Sequence, residues 1–177
     1  MGKRKFTEGL LNHKYIIDLL GVTRGQTILD AGCGNGYMAL KFASLVGPNG
    51  RVYALDSDQP SINNLEQKQN KPNLISLVGD ITKPTMIETK SVDLVYLSTV
   101  FHIFSKSQIL GFQSEIKRLL KPNGVLAIVN ITKEENSFGP PIEMRSSPSE
   151  LIKKLDLIPL KYSVVGEYFY MQTFENK

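Results

Sequence analysis

The sequence predicts an α/β fold: a doubly wound, mostly parallel seven-stranded sheet that ends in a C-terminal antiparallel hairpin. Two observations carry this expectation. Apolar runs of strand length alternate with amphipathic stretches of helical spacing, the pattern of a parallel sheet covered by crossover helices. A glycine-rich turn also follows the first strand and opens a helix, where an open α/β sheet binds its ligands. A chain of 177 residues is long enough for one buried core and short for two domains. No stretch reads as a linker, so residues 1–177 are taken as a single domain, with 1–21 a helical segment placed to cover a pocket.

The elements follow in order. Residues 8–20 carry Leu10, Leu11, Ile16, Ile17, Leu19 and Leu20 roughly at helical spacing, and Gly21 stops the helix. Residues 26–31 form the first strand and 37–46 the next helix, closed by the turn Gly47-Pro48-Asn49-Gly50. A second strand covers 51–55, a polar helix 59–69, and strands three and four 74–78 and 92–97. A helix then runs to about Leu120, opened either by the pair Ser105 and Gln108 or by a cap at Ser107. Lys121-Pro122-Asn123-Gly124 ends it, because proline cannot continue a helix and glycine suits a tight turn. Residues 125–131 are almost wholly apolar and so form a central strand. Ser147-Pro148-Ser149-Glu150 is a capping box with proline at the first helical position, which places a helix over 148–156. Strands at 158–165 and 168–174 flank Gly166 and make the hairpin.

Composition narrows the function classes. The chain is 41% hydrophobic and 21% charged, without a low-complexity tract. No apolar run approaches the roughly 18–20 residues that a membrane-spanning helix needs. The basic start lacks the apolar run of a secretory signal, and Phe6 stands where a myristoylation motif wants Ser or Thr. These readings point to the cytoplasm. One cysteine, Cys33, excludes an internal disulfide and a cysteine-rich zinc site, and two histidines give a transition metal few ligands. The net charge is +4, and basic residues cluster at Lys3-Arg4-Lys5, at Arg118 with Lys121, and at Lys153-Lys154. Without aromatics interleaved for stacking, these clusters read as solvated surface and give nucleic-acid binding no support.

The chemistry concentrates in Asp30-Ala31-Gly32-Cys33-Gly34-Asn35-Gly36. Glycines there let the backbone approach a ligand and adopt left-handed conformations. A dinucleotide fingerprint counted from Gly32 would need its third glycine at position 37, which is Tyr37. The spacing found is Gly-x-Gly-x-Gly, with an acid two residues ahead. That argues against NAD.

Those residues resemble the first signature motif of class I S-adenosylmethionine (SAM)-dependent methyltransferases, of the Rossmann-like methyltransferase fold, and the resemblance covers about residues 15–131. It implies SAM as cofactor, with Asp30, Ala31, Gly32, Gly34 and Gly36 around it. Asp56 ends the second strand where the family places an acid that accepts both ribose hydroxyls, with Ser57 beside it. A carboxylate suits two adjacent donors, being acceptor-only with two oxygens; Asp58 lies beyond the strand end. Asp80, after Gly79, matches the acid that bonds the adenine amino group, and the resemblance puts Ile81 against the ring. Ser98 and Thr99 match positions whose backbone faces the methionine part. Asp93, opening the fourth strand, reads as architectural, and Cys33 as a small buried residue.

The sulfonium of SAM carries much of the chemistry, so the protein has mainly to orient an acceptor in line with the sulfur–methyl bond. A base is needed only for an acceptor that loses a proton. His102 is the candidate for a base or orienting group, since its ordinary pKa near 6.5 suits proton transfer. Tyr37, Tyr96, Asn130 and Glu143 are further candidates to line the pocket, while His13 is expected to be exposed. The chain lacks the Asn/Asp-Pro-Pro-Tyr tetrapeptide of DNA-amino methyltransferases, the paired glutamates of arginine methyltransferases and the cysteines of arsenite or cytosine-C5 enzymes. Its Phe101-His102 segment resembles small-molecule enzymes near the quinone-biosynthesis methyltransferases. The expected function is methyl transfer to a small molecule. An RNA or protein acceptor and a non-catalytic SAM-binding regulatory module are the alternatives, and oligomerisation stays open.

Overall fold

The computed structural model describes residues 9–135 and 139–176. The Lys3-Arg4-Lys5 cluster and Phe6 lie outside them. Seven strands form one sheet in the order β3-β2-β1-β4-β5-β7-β6. They are β1 (Thr27–Ala31), β2 (Arg51–Asp56), β3 (Leu74–Val78), β4 (Val92–Ser98), β5 (Leu120–Ile131), β6 (Ile158–Gly166) and β7 (Phe169–Glu175). The first five pair in parallel, and β7 runs antiparallel between β5 and β6. The predicted architecture is therefore present, with the hairpin folded back so that its second strand is the inner one.

The helices are α1 (His13–Leu20), α2 (Tyr37–Val46), α3 (Gln59–Lys68), α4 (Lys106–Leu119) and α5 (Pro148–Lys154). One face of the sheet packs Ile28, Tyr96 and Val129 under Ile16 of α1, Phe42 of α2 and Leu65 of α3. The other packs Leu29, Val95 and Ile128 under Phe112 and Ile116 of α4 and Leu151 of α5. Successive strand residues point to opposite faces, so a central strand buried on both sides must be apolar almost throughout, as β5 is beyond Gly124. Phe42 meets Tyr96 edge-on at 5.5 Å between ring centroids, and trimming such a buried ring to alanine costs about 3–5 kcal/mol.

Local chemistry sets the boundaries. Ser105 and Gln108 form the capping box of α4, and Ser147 and Glu150 that of α5. Gly21 ends α1 in the left-handed conformation, φ 58°. The start of α1 differs from expectation: Asn12 accepts a bond from the Tyr15 N–H at 3.0 Å and caps the helix. Leu10 and Leu11 thus lie ahead of α1, and Asn12 N–H donates to the Val165 carbonyl of β6 at 3.0 Å. The apolar spacing of Leu10 and Leu11 reflects packing along the hairpin rather than a helical turn. The β4–β5 ladder also begins earlier than predicted, at Val92 opposite Leu120, then jumps to Leu94 opposite Val125. Lys121–Gly124 is the excursion between these pairs, with Asn123 at φ 63°.

Candidate cofactor and acceptor site

The parallel strands end on one edge, and the order reverses between β1 and β4, the switch point at which such sheets hold ligands. The glycine turn sits there. Gly32, Gly34 and Gly36 adopt φ of 71°, 55° and 78°, a region costly to any residue with a Cβ. Packing adds to this constraint: a Cβ on Gly32 would lie 2.6 Å from Val100 Cγ2, and one on Gly36 2.5 Å from Leu65 Cδ1. The Gly32 and Cys33 N–H groups both donate to the Leu55 carbonyl of β2, at 2.7 and 3.0 Å. Gly36 caps α2 without a side-chain bond, so the positive end of that helix faces the same edge. Cys33 is buried in the core, as expected of a small apolar residue.

Asp56 closes the turn. Its Oδ2 accepts from the Gly34 N–H at 2.7 Å and its Oδ1 from the Asp58 N–H at 2.9 Å. Each carboxylate oxygen can accept about two bonds, so both retain capacity toward a pair of hydroxyls. Asp58 is engaged elsewhere, since its side chain accepts from the Ser61 N–H at 2.9 Å and caps α3. Ser57 between them is exposed.

At the end of β3, Asp80 is half-buried, and its Oδ1 accepts from the Thr82 N–H at 2.9 Å and the Thr82 hydroxyl at 2.7 Å. Ile81 is buried in the α4-side core. Asp30 is buried in the middle of the sheet, paired in register with Tyr96. Burial pushes the Tyr96 hydroxyl far above its ordinary value, with the nearby Ser98 acting against the rise and the Asp30 charge adding to it, so the phenol stays neutral. Asp93 lies at the opposite end of its strand, where it accepts from the Thr27 N–H and from Lys121 Nζ, both at 2.8 Å. Its role is architectural.

After Ser98, Thr99 takes φ 57°, an unusual conformation for a β-branched residue, while its N–H donates to the Val129 carbonyl at 2.8 Å. A 3-10 turn over Phe101–Ile103 follows. Phe101 points inward against Phe104 and Phe112, at 5.8 and 6.0 Å, and His102 is left half-buried. Burial first, and then the nearby Arg145 guanidinium, lower His102 below its ordinary pKa of 6.5. At neutral pH the imidazole is therefore uncharged, the form that accepts a proton.

Arg145 is buried, and no motif in the sequence marks it. Its Nε donates to the Pro140 carbonyl at 2.8 Å, and its Nη1 to those of Thr132 and Glu134 at 3.2 and 3.0 Å. It thereby binds the segment after β5 to the sheet. Beside it lies a hollow of about 700 Å³ lined by Arg145, Glu134, Glu135, Pro140, Ile142 and Glu143. Glu143 stands at the wall of this hollow. Asn130 lies deeper and buried, with Nδ2 3.5 Å from the Tyr170 hydroxyl, which donates to the Ser146 carbonyl at 2.6 Å.

The N-terminal segment also comes to this region. His13 is half-buried rather than exposed, its ring 4.8 Å from that of Tyr37 at the first position of α2. Lys41 Nζ sits 4.9 Å from the centre of the Tyr37 ring. Three cations beyond the site are held by carboxylates: Lys121 pairs with Asp93, Arg118 with Glu115 and Lys117 with Asp156. Among the described residues no His/Cys/Asp/Glu cluster could hold a metal ion, and no helix is long and apolar enough to cross a membrane.

Comparison with known proteins agrees with this geometry. Residues 23–165 match the methyltransferase domain family. A SAM-dependent methyltransferase from Aquifex aeolicus superposes with a TM-score of 0.85 at 28% identity, covering 95% of this chain and 91% of that one. An uncharacterized methyltransferase of Synechocystis is 28% identical over 73% of this chain and 59% of its own length. A ubiquinone/menaquinone biosynthesis C-methyltransferase of Klebsiella pneumoniae is 28% identical over 68% of this chain and 48% of its own. The chain thus spans about half the length of these curated relatives. It belongs to the methyltransferase domain family, whose class I members use S-adenosylmethionine as cofactor.

Proposed function

We propose that this chain transfers the methyl group of SAM to a small-molecule acceptor that enters between the Phe101–Ile103 turn and the segment after β5. The observation that carries the reading is the arrangement at one sheet edge of the glycine turn, Asp56 and Asp80, in the order β1, β2, β3. The residues present fit the cofactor. Asp56 has acceptor capacity on both oxygens for the ribose hydroxyls. Asp80 serves the adenine amino group, and the Asp30–Gly36 turn with Ala31 and Ser98 surrounds the remainder.

Bound there, the cofactor supplies an electrophilic methyl on a sulfonium. The chain's own residues hold the acceptor in line, exclude water and, for an acceptor that loses a proton, accept it. His102 takes that last role at an imidazole nitrogen, kept neutral by burial and by Arg145. His13 of α1 packs on Tyr37, the residue that follows the glycine turn. A small acceptor is supported by the likeness to the quinone-biosynthesis enzyme, and the open hollow of about 700 Å³ beside Arg145 has room for one.

Calorimetric titration with SAM and, separately, NAD tests the cofactor. SAM is expected to bind at about micromolar affinity or better and NAD not at all. Absence of SAM binding, or equal binding of NAD, refutes the assignment. With SAM bound, a labelled-methyl screen of quinols, phenols and amines identifies the acceptor. Transfer to RNA or protein in place of any small molecule would overturn the acceptor class.

A further inference from the structure

Helix α4 contains a glycine in its interior, Gly111, where alanine would favour the helix. Space explains its presence. A Cβ at Gly111 would overlap the carbonyl oxygen of Thr82 and approach its carbonyl carbon to 3.2 Å. The obstructing atoms are backbone and cannot rotate away. One turn further along the helix, Glu115 accepts from the Thr85 N–H at 2.8 Å and the Thr85 hydroxyl at 2.7 Å. Another turn on, Arg118 donates to the Thr85 carbonyl at 3.1 Å and the Ile87 carbonyl at 2.8 Å. Positions 111, 115 and 118 share one helix face, and that face holds the segment from Thr82 to Ile87 along its length.

Thr82 connects this clasp to the site. It is buried, and it directs both its N–H and its hydroxyl onto Asp80 Oδ1. The other oxygen, Oδ2, has the Lys83 ammonium 3.8 Å away and no hydrogen bond among the described residues. The carboxylate is therefore fixed by one oxygen and presents the second outward.

We infer that Gly111 and Thr82 are positioning residues for base recognition: the missing side chain of Gly111 seats the Thr82 carbonyl, and Thr82 aims Asp80 Oδ2 at the exocyclic amino group of the cofactor's adenine. The inference rests on the proposed pairing of Asp80 with adenine. It makes selectivity for a 6-amino purine depend on a helix residue that does not touch the base. A purine with a carbonyl at position 6 offers that carboxylate oxygen an acceptor in place of a donor and is rejected for this reason.

The experiment compares the affinities of S-adenosylhomocysteine and S-inosylhomocysteine by calorimetry. The wild-type chain is expected to favour the adenosyl ligand by roughly tenfold or more. Gly111→Ala is expected to shrink that ratio at least about fivefold, because the turn must move. Thr82→Val keeps the volume and backbone and removes the hydroxyl donor, and a fall of about two- to fivefold is expected. Loss of helix stability alone would weaken both ligands equally, so an unchanged ratio in Gly111→Ala overturns the inference. Should Gly111→Ala fail to fold, an unchanged ratio in Thr82→Val does the same. Asp80→Ala separates the two levels. A ratio that survives this substitution refutes the adenine pairing itself, whereas a ratio lost in Asp80→Ala but intact in the other two variants refutes only the positioning.

Discussion

Replacing Asp56 with alanine removes two kinds of bond at once, and their sizes can be separated. Toward the ligand, the carboxylate offers acceptor sites to the ribose hydroxyls, and a hydrogen bond to a charged group contributes about 1.5–3 kcal/mol. At about 1.4 kcal/mol per tenfold, SAM affinity should fall roughly 10- to 150-fold. Toward the protein, Asp56 accepts from the Gly34 N–H at 2.7 Å and the Asp58 N–H at 2.9 Å. Loss of these acceptors loosens the turn, at about 1 kcal/mol per ordinary bond. A ligand cycle distinguishes the two contributions. S-adenosylhomocysteine and its 2′-deoxy analogue are titrated into both proteins, with thermal unfolding of the unliganded forms as the control. Removal of the 2′-hydroxyl should weaken binding to the wild-type chain and leave binding to Asp56→Ala nearly unchanged, because the partner is already gone. A deoxy penalty of equal size in both proteins would show that Asp56 acts only by bracing the glycine turn.

Three further outcomes follow from the geometry. The chain has two histidines, so proton NMR with His13→Gln as an assignment control can follow His102 alone. Its midpoint is expected below 6.5, and Arg145→Met should raise it by removing the neighbouring cation; a wild-type midpoint at or above 6.5 refutes the neutral-base reading. Because folding depresses this pKa, His102's contribution to stability is complete above about pH 6.5 and is lost as pH falls below it. Arg118→Met leaves the buried Glu115 carboxylate without its guanidinium partner at 2.6 Å, and urea unfolding should show a loss of about 3–5 kcal/mol. Burial raises the Glu115 pKa, but bonds from Arg118 and Thr85 outweigh it and leave the value below 4.5. Its stabilisation therefore persists above that pH and is lost in acid, and a loss under about 1 kcal/mol at neutral pH would refute this account. Thr99→Gly relieves about 1–2 kcal/mol of left-handed strain against roughly 0.5–1 kcal/mol of added chain entropy. Stability should stay within about 1 kcal/mol, and a loss above about 3 kcal/mol would mean that the threonine side chain does more than tolerate its conformation.

Much of the fold and of the cofactor edge was legible because those features are written locally. Ser105 with Gln108 and Ser147 with Glu150 state a helix start within four residues, and the structure contains both capping boxes. The Gly-x-Gly-x-Gly spacing states a turn that requires left-handed backbone, and all three glycines adopt it. The misread boundaries belong to residues whose partners are remote. Leu10 and Leu11 carry helical spacing, yet the hairpin, more than 150 positions away in sequence at Val165, fixes the chain before α1. Periodicity cannot report that, since it registers which face is apolar and not what covers it.

The same division explains why the site was read in part. Asp56 ends one legible strand and Asp80 lies just beyond another, so their place at the sheet edge follows from topology. Arg145 has no such marker: a single arginine between a proline pair and a helix cap reads as solvated surface. Its burial comes from three carbonyls that meet only once β5 and the 140–145 segment are in place. Gly111 is similar, for a helix glycine signals a weak point until the Thr82 carbonyl is seen against it. Both residues act through others, Arg145 on the protonation of His102 and Gly111 on the aim of Asp80. Sequence motifs record the groups that meet a ligand, because those must have particular chemistry. The groups that hold them need only size or charge at one point in space, and many sequences can place that there.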